Sequence, residues 1–186
     1  MTIYIHGFGS SGQGGKSTQF REYFRGIDEP FIAPSLSYVP ELAIATLEEL
    51  IESYDEVTLM GSSLGGYYGM YLAEKYALRC VLINPSTCPT ATLKSISEVE
   101  KTAKNYYDES RFDWLSSHLR MLEKYAVVEP KCGEFLLLLQ KGDETLDYVK
   151  AVKKLPSSKL VLEDGGSHAF DGIERHFRLV KDFLLG

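Results

Sequence analysis

The chain has 186 residues, of which 44% are hydrophobic and 12% aromatic, and its net charge is −6. That length and composition predict one globular domain, residues 1–186, with a sizeable core. The acidic balance has no basic cluster to offset it, which argues against nucleic acid or an anionic membrane surface as the main partner.

The first apolar run, Thr2–His6, predicts a strand that closes on His6-Gly7-Phe8-Gly9. A Gly-rich stretch, Ser10 to Gly15, leads into a helical pattern over Lys16–Arg25. Within it, Gly14-Gly15-Lys16-Ser17 is similar to the end of a phosphate-binding loop, G-x-x-x-x-G-K-[ST]. Counting back from Gly15 places Ser10 at the first glycine position and Gly9 one residue too early. Nucleotide hydrolysis is therefore set aside, and Ser10 to Gly15 is expected to be a flexible edge of the cleft. Pro30–Ala33 predicts a second strand. Pro40 then sits well as the first residue of a helix over Glu41–Ser53.

Glu56–Met60 predicts the third strand and Gly65–Tyr76 the helix after it. Between them stands Gly61-Ser62-Ser63-Leu64-Gly65, a G-x-S-x-G string at a strand-to-helix turn. In that context it reads as a nucleophile elbow, with Ser63 on a strained turn and its hydroxyl clear of the backbone. The register falls on Ser63, because Ser62 would need glycine where Met60 and Leu64 stand. The string alone would equally serve as a Gly-rich turn with a capping serine.

Arg79–Asn84 predicts a fourth strand, and the rhythm then breaks. From Ser86 to Gly133 no convincing strand is expected, but two helical segments, about Leu93–Asn105 and Asp108–Tyr125. This helical insertion, residues 87–133, is a candidate lid; the bland alternative is a pair of helices packed on the sheet. Strands over Glu134–Gln140 and Lys159–Glu163 and helices over Leu146–Leu155 and Gly172–Leu184 complete the chain. Near-continuous Val, Ile and Leu in several strands predict a mostly parallel sheet of about six strands, an α/β fold with right-handed crossovers.

Ligands of open α/β sheets bind beyond the carboxyl ends of the strands. Acids and histidines that follow strands are therefore the candidates to partner Ser63. Asp143 follows the fifth strand in Lys141-Gly142-Asp143-Glu144, and His168 follows the sixth in Asp164-Gly165-Gly166-Ser167-His168. A serine hydroxyl is a weak nucleophile. His168 would take its proton during attack and return it to the leaving group, while Asp143 would fix the imidazole tautomer. Glu144 and Asp147 are the alternatives to Asp143. Backbone N–H groups of Leu64, at a helix N-terminus, and Phe8, in the His-Gly loop, are the expected oxyanion donors. His6 is expected to orient that loop through a hydrogen bond. His118 and His176 lie inside helical patterns and read as surface or packing residues.

Cys80, Cys88 and Cys132 are odd in number and lack C-x-x-C spacing, so neither a disulfide framework nor a zinc site is expected. The longest wholly apolar run, Phe135 to Leu139, is far too short to span a bilayer. The first residues lack the basic and apolar regions of a signal peptide. A cytoplasmic enzyme without membrane insertion is the expectation.

The motifs together resemble the YqiA-like esterases of the α/β-hydrolase superfamily. The matching segments are Tyr4-Ile5-His6-Gly7-Phe8, Gly61 to Tyr68, Ile83-Asn84-Pro85, Leu139 to Tyr148 and Gly165 to Phe170. The resemblance extends over essentially the whole chain. It implies a compact three-layer α/β-hydrolase fold, with Ser63, Asp143 and His168 as the triad, no metal and no organic cofactor. It implies a small-molecule acyl ester or thioester as substrate. A thioesterase and a non-catalytic small-ligand-binding relative remain the alternatives. Tyr67, Tyr68, Tyr106, Tyr107 and Trp114 are candidates to line an acyl pocket.

Overall fold

Apolar side chains on the central strands alternate between two cores, and that alternation sets the layering. In the computed structural model, which describes all 186 residues, the first half runs β1 (Thr2–Ile5), α1 (Gly15–Gly26), β2 (Phe31–Ile32), α2 (Pro40–Glu52), β3 (Thr58–Ser63), α3 (Leu64–Tyr76) and β4 (Arg79–Pro85). The insertion follows with α4 (Pro89–Thr92), β5 (Thr102–Lys104), β6 (Arg111–Asp113) and α5 (Ser116–Glu123). The chain ends with β7 (Glu134–Gln140), α6 (Tyr148–Lys154), β8 (Lys159–Glu163) and α7 (Phe177–Leu185).

Six strands form one sheet in the order β2-β1-β3-β4-β7-β8, and every pairing in it is parallel. Ile3, Ile5, Leu59, Leu82 and Leu137 face one core with α2, α3 and α6. Tyr4, Met60, Val81, Ile83 and Leu138 face the other with Phe20 and Phe24 of α1 and Val180 of α7. Strands buried on both faces need apolar residues at successive positions, so the two-residue period of the pleat is hidden in near-continuous apolar runs. The result is three layers, helix on sheet on helix, as the sequence predicts.

The chain steps outward from β1 to β2, then crosses back to place β3 on the other side of β1. Strand order reverses there, and the loops after β1 and β3 diverge to leave a crevice. Phe8 follows β1 and Ser63 ends β3 at that switch point.

The segment between β4 and β7 corrects the expected pair of long helices. It contains a two-stranded antiparallel ribbon, β5 with β6, registered Thr102 with Asp113 and Lys104 with Arg111. The helix expected over Leu93–Asn105 shrinks to a five-residue π turn, Ile96–Glu100, ended by Lys101 at φ 57°. The helix expected over Asp108–Tyr125 begins only at Ser116. Short polar side chains account for this. Asn105 accepts from Tyr107 N–H at 2.9 Å, Asp108 accepts from Ser110 N–H at 3.0 Å, and Glu109 adopts φ 64°. Such local bonds offer the backbone a turn instead of a helix. The insertion is therefore mixed helix and ribbon. No helix of the structure is long and apolar enough to cross a membrane.

Candidate active site

The elbow is built by backbone contacts that exclude side chains. A Cβ on Gly61 would lie 2.2 Å from Gly65 O, and one on Gly65 would lie 2.0 Å from Ile5 O. Helix α3 therefore packs directly on the ends of β1 and β3. Ser63 is held at φ 53°, ψ −121°, a conformation that L-residues rarely adopt and surrounding structure must enforce. The β3–β4 ladder shifts register between Ser62 and Ser63, which turns the serine out of the sheet. Ser62 Oγ instead pairs with Tyr4 OH at 2.9 Å inside the core. Only Ser63 faces the crevice.

His168 Nε2 lies 2.9 Å from Ser63 Oγ, and His168 Nδ1 lies 2.8 Å from Asp143 Oδ2. A carboxylate only accepts, so Nδ1 carries the proton and Nε2 faces the serine with a lone pair. The Asp143 side chain is 2% exposed. Its other oxygen accepts from Thr145 N–H and Leu146 N–H, both at 2.8 Å, so the carboxylate has no freedom to swing away. The sequence left Glu144 and Asp147 open as partners of His168. Asp147 instead caps α6 through Val149 N–H at 2.9 Å. Glu144 accepts from the His168 backbone N–H at 3.0 Å. Its own backbone N–H and that of His168 hold the Glu144 carboxyl below the usual range.

Two buried amides that the sequence reading did not single out as site residues hold the histidine loop. Asn84, at the end of β4, donates to the carbonyls of Ser167 at 2.9 Å and His168 at 3.3 Å, and accepts from Gln140 N–H at 3.0 Å. Gln140, at the end of β7, accepts from Ser167 N–H at 3.1 Å and Asp171 N–H at 2.8 Å. Its amide donates to Glu163 at 2.7 Å and to Asp171 O at 2.9 Å. That bond, with help from His176 and Arg175, holds the Glu163 carboxyl below its usual range. The signal was present in the sequence. Asn84 and Gln140 are polar residues ending otherwise apolar parallel strands, where burial demands a partner.

The loop after β1 is equally fixed. His6 Nε2 accepts from Leu36 N–H at 3.0 Å, so Nδ1 carries the proton and donates to Gly7 O at 2.9 Å. Burial holds this imidazole below its ordinary 6.5. His6 orients the loop, as the sequence predicts. A Cβ on Gly7 would lie 3.1 Å from Ser63 Cβ, which shows how closely the loop passes the serine. Phe8 N–H has no acceptor within the protein. Leu64 N–H, in the first turn of α3, has no intrahelical acceptor. Both residues line one cavity with Ser63 and His168.

That cavity has a volume of about 260 Å³, and its far wall comes from the insertion through Pro89, Thr92, Leu93, Ile96 and Tyr106. Of the aromatics considered for an acyl pocket, Tyr106 alone reaches it. Tyr67 and Tyr68 are buried in the core, with Tyr67 OH donating to Leu122 O at 2.7 Å, and Trp114 packs edge-on to Phe8 at 4.7 Å. Tyr107 is exposed. A larger hollow of about 460 Å³ lies at the opposite end of the sheet, beside Glu134 and Lys159, remote from this chemistry.

The Ser10 to Gly15 stretch contributes nothing to the cavity wall, contrary to the expected flexible edge. A Cβ on Gly12 would lie 2.1 Å from Ala33 O, and Arg21 donates to Gly12 O at 2.6 Å, so the stretch is packed against the segment after β2. Lys16 donates to Ala169 O in the histidine loop. Burial pushes its ammonium down to about 8 against the opposing pull of Asp171 and Asp143. No phosphate cradle forms there. His118 accepts from Leu115 N–H at 3.1 Å and His176 pairs with Glu163 at 2.9 Å, so both are structural.

Known proteins share this architecture. Est1E from Butyrivibrio proteoclasticus, solved with ferulic acid bound, superposes with a TM-score of 0.77 over 99% of this chain and 87% of its own, at 17% identity. Mouse alpha/beta hydrolase domain-containing protein 10 superposes with a TM-score of 0.78 over 97% of this chain and 88% of its own, also at 17% identity. The fold is that of the α/β hydrolases. Within that class, the chain belongs to the uncharacterised protein family UPF0227, matched over residues 1–185. A UPF0227 protein of Vibrio parahaemolyticus is 23% identical over 98% of both chains. The family match bears out the family read from the motifs.

Proposed function

We propose that the protein is a serine hydrolase that cleaves carboxylic esters of short acyl chains through an acyl-enzyme. The observation that carries this reading is the continuous Ser63–His168–Asp143 relay, with contacts of 2.9 and 2.8 Å. Ser63 Oγ attacks the ester carbonyl while His168 Nε2 accepts its proton. The oxyanion that forms is met by Phe8 N–H and Leu64 N–H, donors fixed before the substrate arrives. His168 then protonates the departing alcohol, and Asp143 stabilises the imidazolium between the two transfers. Water, activated by the same histidine, releases the acid.

Each step uses this chain's own residues, and none calls on a metal or organic cofactor. Residues 1–186 act as a single domain, with residues 87–133 as the wall of the acyl site. A cavity of about 260 Å³ falls below the usual ~300–1,000 Å³ of sites for drug-sized ligands, which favours a short acyl chain. The test is turnover of p-nitrophenyl esters from acetate to laurate by the purified protein. The expected profile peaks at or below hexanoate. No turnover of any ester by folded protein would remove this reading in favour of ligand binding alone.

A further inference from the structure

One edge of the sheet is left open. β8 forms that edge, and β2 at the opposite edge is only two residues long. Glu163 stands opposite Gln140 in the parallel ladder, and its C=O accepts from Lys141 N–H at 3.0 Å. Main-chain groups alternate in direction along a strand, so Lys159, Val161 and Glu163 present theirs to β7. The N–H and C=O groups of Leu160 and Leu162 therefore point away from the sheet, where the ladder gives them no partner. Their side chains share a face with Leu137 and Leu139, yet Leu160 is 45% and Leu162 37% exposed. The flanking helices account for this exposure: α6 packs chiefly on β4 and β7, and α7 chiefly on β3 and β4. Natural edge strands are usually blunted by a proline, a bulge or a covering element. β8 has no proline and pairs with β7 without a register shift.

We infer that β8 is an interaction surface whose partner is a second copy of this chain, paired antiparallel about a two-fold axis through Val161. The strand Lys159-Leu160-Val161-Leu162-Glu163 is its own complement in that register. Leu160 of each copy stands opposite Leu162 of the other, and each such pair exchanges both N–H···O bonds through the outward main-chain groups. Lys159 of each copy stands opposite Glu163 of the other, an opposite-charge pair across the seam. Glu163 keeps its bonds to Gln140, His176 and Arg175, and its side chain is still 23% exposed. The charge match extends beyond the strand. Glu144, Asp147, Glu163 and Asp164 gather at the carboxyl end of β8, where Lys141 and Arg175 offset only Asp164 and Glu163. Lys153 and Lys154 end α6 at the amino end of β8, beside Lys159, and none of the three has an acid partner. Glu134, the acid that begins β7 at that end, pairs with Arg79. The two-fold axis lays the acidic end of one copy on the basic end of the other. A parallel neighbour would lay like charge on like, and a one-residue slip would set Leu160 against Glu163. Pairing also covers the exposed leucines of both copies. Such an interface closes on itself, so assembly stops at two, and its small size makes the dimer weak.

Sedimentation velocity on the full chain from about 1 to 300 µM tests the inference, and a monomer passing to a dimer and no further is expected. Leu162→Pro removes an outward donor that the monomer does not use, at an edge position where proline is tolerated. It should raise the dissociation constant at least about tenfold, with a thermal midpoint near wild type. Lys159→Glu sets like charges opposite each other and should raise it about fivefold, less in high salt. Val161→Cys, in a chain that also carries Cys88→Ser and Cys132→Ser, lies on the axis. Facing Cα atoms of a non-hydrogen-bonded pair are about 4.5 Å apart, within disulfide reach, so mild oxidation should link two chains. If Leu162→Pro fails to fold, Lys159→Glu and Val161→Cys carry the test. A chain that stays monomeric at every concentration would overturn the inference. So would a dimer that is indifferent to the substitutions and leaves Val161→Cys unlinked, or a species that grows past the dimer. None of these readouts uses catalysis, so their outcome is separate from that of the ester-hydrolysing reading.

Discussion

The loops carrying Ser63, Asp143 and His168 and the insertion that faces them are held by different means. Buried polar side chains hold the first region: Asn84 and Gln140 clamp the histidine loop, Asp143 is locked by two N–H groups, and His6 ties the Phe8 loop to Leu36. The insertion is held by aromatic faces, a few backbone bonds and side-chain bonds at its margins: Tyr67 OH to Leu122 O, Asn105 Nδ2 to Tyr38 OH, and the N–H groups of Lys131, Cys132 and Gly133 to the Glu74 carboxylate. Phe112 stacks on Tyr38 at 3.5 Å, Trp114 meets Phe8 edge-on, and Tyr106 N–H donates to Gly9 O at 2.7 Å. Hydrogen bonds fix direction as well as distance, which proton transfer demands. Aromatic packing fixes a surface while tolerating change of side chain. On the proposed reading, the chemistry sits where geometry is least forgiving and substrate choice where variation is cheapest.

Substitutions can break this contrast, and the largest effect belongs to Ser63, the proposed nucleophile. Ser63→Ala should lower kcat by about 10⁴-fold or more on a p-nitrophenyl ester, with urea unfolding close to wild type. Gly65→Ala should cost more than about 3 kcal/mol of stability, because the new Cβ would meet Ile5 O; urea titration reads it. Asn84→Ala comes next. It strips the partners from a buried N–H and two carbonyls, so about 2 kcal/mol of stability and a 10–100-fold loss of kcat are expected. A variant that lost stability but kept kcat would show that the clamp does not position His168.

A pH effect sharpens the contrast further. Burial lowers the folded-state value of His6, so the unfolded chain takes up a proton near 6.5 that the folded chain still refuses. The contribution of His6 is fully present above pH 6.5 and is lost as pH falls toward its folded value. Urea-unfolding free energy should therefore decline from pH 6.5 to 5, and His6→Asn should flatten that slope. An identical slope in the variant would put the sensitivity elsewhere. The smallest effect belongs to the insertion. Tyr106 is 78% exposed, so Tyr106→Ala should change stability by no more than about 0.5 kcal/mol while shifting KM among acyl chain lengths severalfold.

The same contrast explains what was legible in the sequence. Strands such as Glu134–Gln140 announce themselves because burial on both faces demands apolar residues in succession. Ser63, Asp143 and His168 were readable because each stands on a Gly-marked turn just past a strand, and the structure brings all three together. The insertion was misread because its three-residue strands are too short to show a period, and Asn105 and Asp108 turn the chain through side-chain bonds that periodicity does not record. The supporting role of Asn84 and Gln140 depends on which loop carbonyls lie within reach, which only the folded chain decides.

The central claim is that Ser63 is an activated nucleophile, and fluorophosphonate labelling tests it most directly. Intact-mass analysis should show one adduct on the native protein, peptide mapping should place it on Ser63, and Ser63→Ala should remain unlabelled. A folded native protein that takes up no label, or a label on another residue that survives Ser63→Ala, would contradict the account.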